Sequence, residues 1–576
     1  MRTALLLAGV AFVLYASGLR WGLPYATAPE RVDAWAVDDE TPLGPLAELH
    51  NILDPKPDRN LGYPLLYPFT VLVAYAPYMV YLAVTDGLES PGGEYPFGLS
   101  DPVLSLRVLG LIAHLVTTLL AVAAVVATYD AARVAWGRRA GVAAALFAMT
   151  AAPMFYYART GNVDVPMLCF LMLAYAAFAR MVVSGYTVRR AVALGIFVGL
   201  SLATKEAALG AFLAMPVVVF ELSRRQRQLP VGSMAFWKPH LQALLASFLA
   251  LGAGSGLFVE PGRYLAHLRY LGGRVNELAV SDAGSAAVRT FGYTFGEHIA
   301  YARALLIDLQ SILNPGGLAL AAAGVAIACW RRERAALLIV PIASYLGWIF
   351  LSLRAAQVRY MLPAAVMLAC FAGYAVLCAS RSKRPVFRYG VSAAAVVILL
   401  VQLLRGVDLT YQMVNDSRFA AAAWFEQQAR PGDRVEFFGP SQKLPPLDAQ
   451  VVSDRATGYY GMYVPAQVDE AKVQEILSGW QERRPRFVIA IPDHTSPAGV
   501  QHSHTFPSAL FNALMEARYG FHPAVYFRTP PLFPWLPAAR LDYPVVNPPI
   551  QVFEALGENE NRPPEPVRNQ PGAGLR

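Results

Sequence analysis

The chain has 576 residues, of which 56% are hydrophobic and only 15% are charged. This composition excludes an ordinary soluble enzyme and is typical of a polytopic membrane protein. The net charge of +8 does not indicate nucleic acid, because the basic residues stand in short clusters between apolar runs, as they do in cytoplasmic loops. We therefore expect membrane lipids, and no nucleic acid, among the partners.

Eleven apolar segments are predicted to be membrane-spanning helices, since about 20 mostly apolar residues cross a bilayer. The segment 61–85 is also apolar, but its prolines favour a juxtamembrane or re-entrant element. The two short segments around 191–222 are also compatible with one helical hairpin, broken at Thr204-Lys205-Glu206. The predicted spans are 3–19, 103–129, 140–158, 163–182, 191–204, 207–222, 241–258, 316–330, 335–353, 361–380 and 389–405.

The basic clusters predict the orientation of these spans. With the N-terminus inside, all five Arg/Lys-rich loops fall on the cytoplasmic side, as the positive-inside rule requires. The outer side then carries a long first loop at 20–102, a second long loop at 259–315 and everything after residue 405. The abundance of Ala and Arg is typical of a GC-rich bacterium, so we expect the inner (plasma) membrane of a bacterium.

After residue 405 the pattern changes to short helices alternating with strands. This alternation predicts a small soluble α/β domain over 406–556. The last segment, 557–576, is rich in Pro, Asn, Glu and Gly and is expected to be disordered. The predicted elements are helices at 416–429, 468–480 and 507–518, and strands at 434–438, 487–491, near 523–528 and near 549–554.

Two acidic positions are predicted on the outer side. Asp38, Asp39 and Glu40 follow the first span, and Asp164 begins the fourth. Ionisable groups at the membrane boundary are costly and mark functional sites, where a carboxylate can act as a general base or bind a metal. At most one or two of the three adjacent acids can face one site. The alternatives are a solvated, helix-capping loop for the cluster and an N-cap for Asp164.

Basic residues on the same side complete the pattern. Lys205 and Glu206 interrupt two apolar half-spans, and a charged pair at that depth needs partners or water; the alternative is a lysine that snorkels to the interface. Arg354 and Arg359 lie on the outer side against the positive-inside bias and suit phosphate binding, or else contact lipid headgroups. Acids and bases from distant segments thus predict a site that binds a phosphate leaving group and activates a hydroxyl.

The order of several short motifs over residues 1–405 resembles the membrane glycosyltransferases of the GT-C class. The resemblance is to the protein O-mannosyltransferase (family 39) and aminoarabinose-transferase-like groups in particular. The motifs are Asp39-Glu40, Tyr63-Pro64, Leu106-Arg107, Gly137-Arg138-Arg139, the stretch from Arg159 to Asp164, Thr204-Lys205, and the run from Arg359 to Pro363.

The resemblance implies a GT-C-like fold for 1–405, a polyprenyl-phosphate sugar donor, and a lipid, glycan or protein acceptor on the outer face. By position, Asp39 would be the catalytic base with Glu40 beside it, and Asp164 the second acidic site. Asp38 precedes the acidic pair and is the alternative base. The candidate contacts to the donor phosphate are Lys205, Arg107, Arg359 and Arg354. Arg159 and Glu206 are further candidate residues of the site.

The resemblance also implies a reaction. Members of the class differ in metal use, so no obligatory ion is expected, and Mg²⁺ or Mn²⁺ is an option that the resemblance leaves open. No glycosyl-enzyme intermediate is needed, so inversion is predicted.

A transporter or lipid flippase is the main alternative to a glycosyltransferase. It should show inverted repeats or paired broken helices, whereas the sequence shows one break. A non-catalytic membrane scaffold is the other.

Overall fold

A computed structural model describes residues 1–54, 56, 59, 61–280, 289–438, 441–455, 470–491, 508–542 and 545–556. It is mainly helical, and each of the eleven predicted spans overlaps a helix. The helices are α1 (Arg2–Ala16), α2 (Leu43–Leu53), α3 (Leu66–Val84), α4 (Pro102–Trp136), α5 (Arg138–Met149), α6 (Met154–Tyr157), α7 (Asp164–Ser184), α8 (Val188–Leu202), α9 (Leu209–Phe212), α10 (Met215–Arg227), α11 (Met234–Gly254), α12 (Pro261–Val280), α13 (Phe295–Trp330), α14 (Ile339–Trp348), α15 (Val358–Ser380), α16 (Pro385–Val414), α17 (Ser417–Gln428), α18 (Glu470–Arg483) and α19 (Ser508–Met515).

Within the described residues, eight helical segments are long and apolar enough to cross a membrane, which makes the chain a multi-pass membrane protein. The number is smaller than eleven partly because α1, α5 and α8 have only 15, 12 and 15 residues. The eight are Leu66–Val84, Pro102–Trp136, Asp164–Ser184, Glu206–Arg227, Phe295–Trp330, Arg334–Leu353, Val358–Ser380 and Pro385–Gln428.

Of the two alternatives expected at 61–85, the re-entrant element is wrong, because α3 is one continuous helix of 19 residues, whereas the juxtamembrane element stays a prediction. Pro68 falls in its first turn, where a missing N–H costs nothing. The Tyr67 hydroxyl lies 2.8 Å from Thr117 Oγ1, fifteen residues after the start of α4. Helix α3 therefore packs beside the N-terminal half of α4, and the remaining part of α4 extends about 30 Å further to Trp136.

Helix α13 contains a second break that the sequence analysis did not predict. Asn314 has φ 53° and ψ 165°, and Pro315 follows it. The Asn314 side chain accepts a hydrogen bond from Gly317 N at 3.0 Å, so it caps the second half of the helix. The predicted span at 316–330 begins at this point.

The centre of the bundle is α15, which packs against α4, α5, α7, α13 and α16. In the most apolar stretch of α15, 18 residues long, 89% of the residues are buried. In the corresponding stretch of Pro385–Gln428, which contains α16, only 17% are buried. Small residues allow the helices to approach closely, as is common in membranes. A Cβ on Gly373 would lie 2.5 Å from the Ala140 carbonyl oxygen, where α15 crosses α5.

The C-terminal part forms the predicted small α/β domain. Its five-stranded sheet has the order β4-β3-β5-β7-β6, in which β4, β3 and β5 are parallel and β7 and β6 are antiparallel. Strand β4 is additional, and the predicted disordered segment 557–576 lies outside the described residues. The strands are β1 (Arg289–Thr290) and β2 (Ala355–Ala356), which pair with each other, then β3 (Arg434–Phe437), β4 (Val452–Arg455), β5 (Phe487–Ala490), β6 (Phe521–Phe527) and β7 (Ile550–Ala555).

Buried charged groups attach this domain to the loop between α1 and α2. Arg418, at the start of α17, forms a salt bridge with Asp416 at 2.8 Å in which both side chains are fully buried. The guanidinium carbon of Arg418 lies 3.8 Å from the ring centroid of Trp35, and Trp21 donates a hydrogen bond to Asp416 at 3.0 Å. Because Trp35 precedes Asp38 by three residues, these contacts position the loop that carries the acidic cluster.

Candidate active site

Four predicted site residues from distant segments come together in one place. Asp38 lies in the loop before α2 with a left-handed backbone (φ 61°), Asp164 is the first residue of α7, and Lys205 stands in the turn between α8 and α9. Arg359 is the second residue of α15. Asp164 and Arg359 begin helices, Lys205 stands between two helices and Asp38 lies in a loop, so all four side chains lie where regular helical packing ends.

The first pair in this site is Asp38 and Arg359. Arg359 Nη1 donates a hydrogen bond to Asp38 Oδ2, and its Nε donates to Gln357 Oε1 at 2.8 Å. The Arg359 side chain is 7% exposed, whereas that of Asp38 is 28% exposed. Asp38 therefore presents a carboxylate that is paired with a cation and still accessible.

The second pair is Asp164 and Lys205, whose charged atoms lie 2.6 Å apart with side chains only 2% and 8% exposed. Asp164 Oδ2 is buried and accepts no hydrogen bond from any described residue. The Lys205 ammonium lies 5.3 Å from the ring centroid of Tyr63 and 5.5 Å from that of Tyr360, which is cation–π distance. Desolvation makes such a pair a weak source of stability, so its presence favours a functional role.

Two tyrosines connect the pairs. The guanidinium carbon of Arg359 lies 5.4 Å from the Tyr360 ring centroid, so both cations contact the same ring. Burial, followed by the negative charge of Asp38, raises the pKa of the Tyr63 hydroxyl well above its ordinary value. Tyr63 therefore stays protonated at neutral pH and can donate a hydrogen bond to a ligand.

Asp39 lies behind this site. Its side chain is fully buried, and Oδ1 accepts hydrogen bonds from Thr41 N at 3.0 Å and Thr41 Oγ1 at 2.6 Å. Oδ2 accepts one from Gly161 N at 2.6 Å and faces His114 Nε2 at 3.1 Å. Within the described residues, a small cleft beside the site is lined by Asp38, Tyr63 and the exposed Glu40, but not by Asp39.

The contact between Asp39 and Gly161 requires a glycine. A Cβ at position 161 would overlap Asp39 Oδ1 and the side chain of Thr41. The loop before α7 can therefore approach the acidic loop only with Gly161 in place. This approach brings Asp164 to the same side as Asp38.

His114 is a site-supporting residue that sequence reasoning missed. It is 1% exposed in α4, with Nδ1 2.9 Å from the Leu19 carbonyl oxygen and Nε2 3.1 Å from Asp39 Oδ2. A carbonyl only accepts, so Nδ1 carries a hydrogen, and a hydrogen bond at Nε2 requires a proton between the ring and the carboxylate. The rarity of histidine within a span was the available signal.

Asp542 is a second missed residue and comes from the C-terminal domain. Its carboxylate accepts hydrogen bonds from Val358 N at 2.5 Å, Arg359 N at 3.1 Å and the Tyr157 hydroxyl at 2.7 Å. Asp542 thus caps α15 next to Arg359. Nothing in the local sequence indicates this contact.

The other predicted residues contact groups other than the two pairs. Arg107 is exposed on α4, and Glu206 is hydrogen-bonded to His267 of α12. Arg159 is buried and donates to Thr410 Oγ1 and the Leu14 carbonyl, which links α1 to α16. Arg354 lies 4.9 and 5.2 Å from the ring centroids of Tyr293 and Tyr301. Among the described residues, no group of three or more His, Cys, Asp or Glu side chains could hold a metal ion.

The family model described as dolichyl-phosphate-mannose-protein mannosyltransferase matches residues 106–252. These residues run from α4 to α11 and include Asp164 and Lys205, but not Asp38 or Arg359. No curated protein matches the chain.

Similar solved structures include the oligosaccharyltransferase AglB from Archaeoglobus fulgidus, in complex with an inhibitory peptide and a dolichol-phosphate. It is 12% identical, over 85% of this chain and 69% of that chain, with a TM-score of 0.43. ArnT from Cupriavidus metallidurans bound to undecaprenyl phosphate is 15% identical, over 95% of this chain and 97% of that chain, with a TM-score of 0.40. The resemblance to protein O-mannosyltransferases is confirmed by the family model, and over residues 106–252 the chain is similar to the dolichyl-phosphate-mannose-protein mannosyltransferases.

Proposed function

We propose that the chain is an integral membrane glycosyltransferase. It moves a sugar from a polyprenyl-phosphate-linked donor to a hydroxyl or amine of a lipid, glycan or protein acceptor on the outer face, with inversion at the anomeric carbon. The observation that supports this most is the convergence of the Asp38–Arg359 and Asp164–Lys205 pairs around Tyr63 and Tyr360. The family match over 106–252 favours the same chemistry, since that family's description names a lipid-phosphate-linked sugar.

Lys205 and Arg359 hold the phosphate of the donor. As the bond between the sugar and the phosphate breaks, negative charge grows on the phosphate oxygens, and positioned cations stabilise it. Arginine matches a phosphate with two parallel hydrogen bonds, while lysine acts as a compact charge. Both cations contact the ring of Tyr360, so one phosphate can reach both.

Asp38 is the general base in this proposal, because it lines the cleft and is 28% exposed. The donor phosphate competes with Asp38 for Arg359, so donor binding releases the carboxylate. The acceptor oxygen then bonds to the anomeric carbon and gives its proton to Asp38, while the bond from that carbon to the phosphate oxygen breaks. A single displacement of this kind inverts the anomeric carbon.

Asp39 and Asp164 position the reacting groups. Asp39 joins the acidic loop to Gly161 and His114 and so fixes where Asp38 points. Asp164 holds Lys205 with one oxygen, and its other oxygen can accept a hydrogen bond from a hydroxyl of the sugar.

The proposed location is the plasma membrane of a bacterium, with the N-terminus in the cytoplasm and the C-terminal domain outside. Basic residues support this orientation. Helix α15 begins at the site with Arg359 and ends beside Arg381, Lys383 and Arg384. The end with the basic cluster is the cytoplasmic end under the positive-inside rule.

A transporter is less consistent with the geometry, although the break at Asn314 gives the bundle two broken helices. The break at Lys205 lies at the proposed site, where Lys205 pairs with Asp164. At the other break, the Asn314 side chain accepts a hydrogen bond from Gly317 N and donates one to the Ile398 carbonyl, so its polar groups are already paired within the protein. The two breaks therefore do not form the paired half-helix site of a transporter.

The test is sugar transfer from labelled polyprenyl-phosphate sugars by the purified protein in lipid vesicles. Wild type is compared with Asp38→Asn and with Asp86→Asn, an exposed acid of the same outer loop that also has a positive φ (54°). Loss of a general base lowers the rate about 10²- to 10⁴-fold, so Asp38→Asn should lose transfer while Asp86→Asn keeps it. Absence of transfer by wild type with every donor would reject the proposal.

A further inference from the structure

A pocket of about 880 Å³ lies at the end of α15 opposite Arg359. Helix α15 has 23 residues and is therefore about 34 Å long, so the pocket and the candidate active site lie at opposite membrane faces. The pocket opens between the ends of α4, α13, α15 and α16. Its volume is in the range of sites that hold a small ligand.

The floor of the pocket is polar and ordered. The Glu333 carboxylate accepts hydrogen bonds from Trp136 Nε1 at 2.8 Å and from the Tyr374 hydroxyl. The rings of Trp136 and Tyr374 stack with centroids 4.7 Å apart and planes 18° apart. This network fixes the ends of α4 and α15 relative to the loop after α13, so the pocket is a feature of the packed bundle.

The walls and the rim differ in chemistry. Leu320, Ala323 and Ile327 of α13 form one apolar wall, and Phe387 and Val391 of α16 form another. The rim carries the exposed side chains of Arg331, Arg334 and Arg381.

A soluble anion would use the arginines but leave the apolar walls in contact with water. A neutral hydrocarbon would fill the walls but make no use of the positive charge of the rim, where Arg331 already donates a hydrogen bond to the Tyr374 hydroxyl at 3.3 Å. Only a molecule that has an anionic head and a hydrocarbon chain satisfies both parts. Basic pockets between membrane helices at the cytoplasmic side are known to bind anionic lipid headgroups.

We propose that this pocket binds one anionic phospholipid of the inner leaflet. Its phosphate contacts Arg331, Arg334 and Arg381, and an acyl chain lies along the walls formed by α13 and α16. Glu333 is held by Trp136 and Tyr374, below the arginine rim. The site is separate from the proposed transfer reaction, so it can be tested by lipid binding alone.

The test is titration of the purified full chain in detergent micelles with phosphatidylglycerol, with phosphatidylcholine of the same acyl chains as the reference. The pocket variant is Arg331→Gln/Arg334→Gln/Arg381→Gln. The matched control is Arg138→Gln/Arg139→Gln/Arg189→Gln, which removes three exposed arginines that do not line the pocket. An arginine near an anionic lipid contributes a factor of about five, so the pocket variant should bind phosphatidylglycerol about 100-fold more weakly and the control much less so.

A second variant keeps every charge. Ala323→Trp places a large ring against the apolar wall, where Ala323 is exposed to the pocket, and should abolish the preference for phosphatidylglycerol. Equal weakening in both arginine triples would show general surface electrostatics and overturn the proposal. Competition by glycerol phosphate as strong as by the intact lipid would show a soluble-anion site and overturn it as well.

Discussion

The two ends of α15 use charge in opposite ways. At the end that carries Arg359, both cations and Asp164 are buried, Asp38 is partly exposed, and each cation is paired with a carboxylate. At the end that lies beside Arg381, the arginines are exposed and the carboxylate of Glu333 is held by neutral donors. Burial makes a charge expensive unless it is paired, so the buried charges at the first end depend on their partners, whereas the exposed arginines at the second end do not. Removing one charge should therefore have a large effect at the first end and a small one at the second.

Replacement of Lys205 by Met should produce the largest loss of stability. It leaves Asp164 buried without its cation, which costs about 3–5 kcal/mol, and it also removes transfer. Thermal unfolding in detergent should show a much lower midpoint for Lys205→Met, but an almost unchanged midpoint for Arg381→Gln at the other end of α15. Lys205→Met/Asp164→Leu should regain most of the stability and none of the transfer. An unchanged midpoint in Lys205→Met would refute the buried pair.

Replacement of Gly161 by Ala should have the next largest effect. The added methyl group overlaps Asp39 and Thr41, and overpacking of this kind costs about 1–3 kcal/mol. Gly262→Ala on α12 is the matched control, because a Cβ there meets no described atom within 4 Å. We expect a lower unfolding midpoint and reduced transfer for Gly161→Ala alone; equal behaviour of the two variants would contradict the close contact between the loops.

Replacement of Asp542 by Ala should have a smaller effect and tests the role of the C-terminal domain. It removes the acceptor for Val358 N and Arg359 N, and loss of such a cap costs about 0.5–2 kcal/mol. Because Arg359 is displaced, kcat/KM should fall more than the unfolding midpoint does. Glu516→Ala, at an exposed position of the same domain, serves as the control. A normal kcat/KM in Asp542→Ala would separate the domain from the site.

Much of the fold follows from the sequence because long apolar runs and the alternation after residue 405 are strong local signals. Strand β4 was missed because Val452-Ser453-Asp454-Arg455 is short and polar. The re-entrant alternative for 61–85 failed because proline near a helix start and at one interior position is tolerated in a continuous apolar helix.

The site was only partly predictable. Asp38, Asp164, Lys205 and Arg359 could be grouped because all of them fall on the predicted outer side. Spacing does not give side-chain direction, so Arg107, Arg159, Glu206 and Arg354 could not be separated from them. The difference between Asp38 and Asp39 depends on the backbone at Asp38 and on Gly161, more than 120 residues away in the sequence.

The central claim is that Asp38 takes the proton while Asp39 positions it, and one paired measurement tests this directly. Sugar transfer and thermal unfolding are measured on the same preparations of Asp38→Asn and Asp39→Asn. Asp38→Asn should lose transfer about 10²- to 10⁴-fold and lower the unfolding midpoint moderately, because it takes the partly exposed carboxylate away from Arg359. Asp39→Asn should lower the midpoint more, because its buried carboxylate joins three segments. Full transfer by Asp38→Asn, together with loss of transfer by a stably folded Asp39→Asn, would contradict the account and make Asp39 the base.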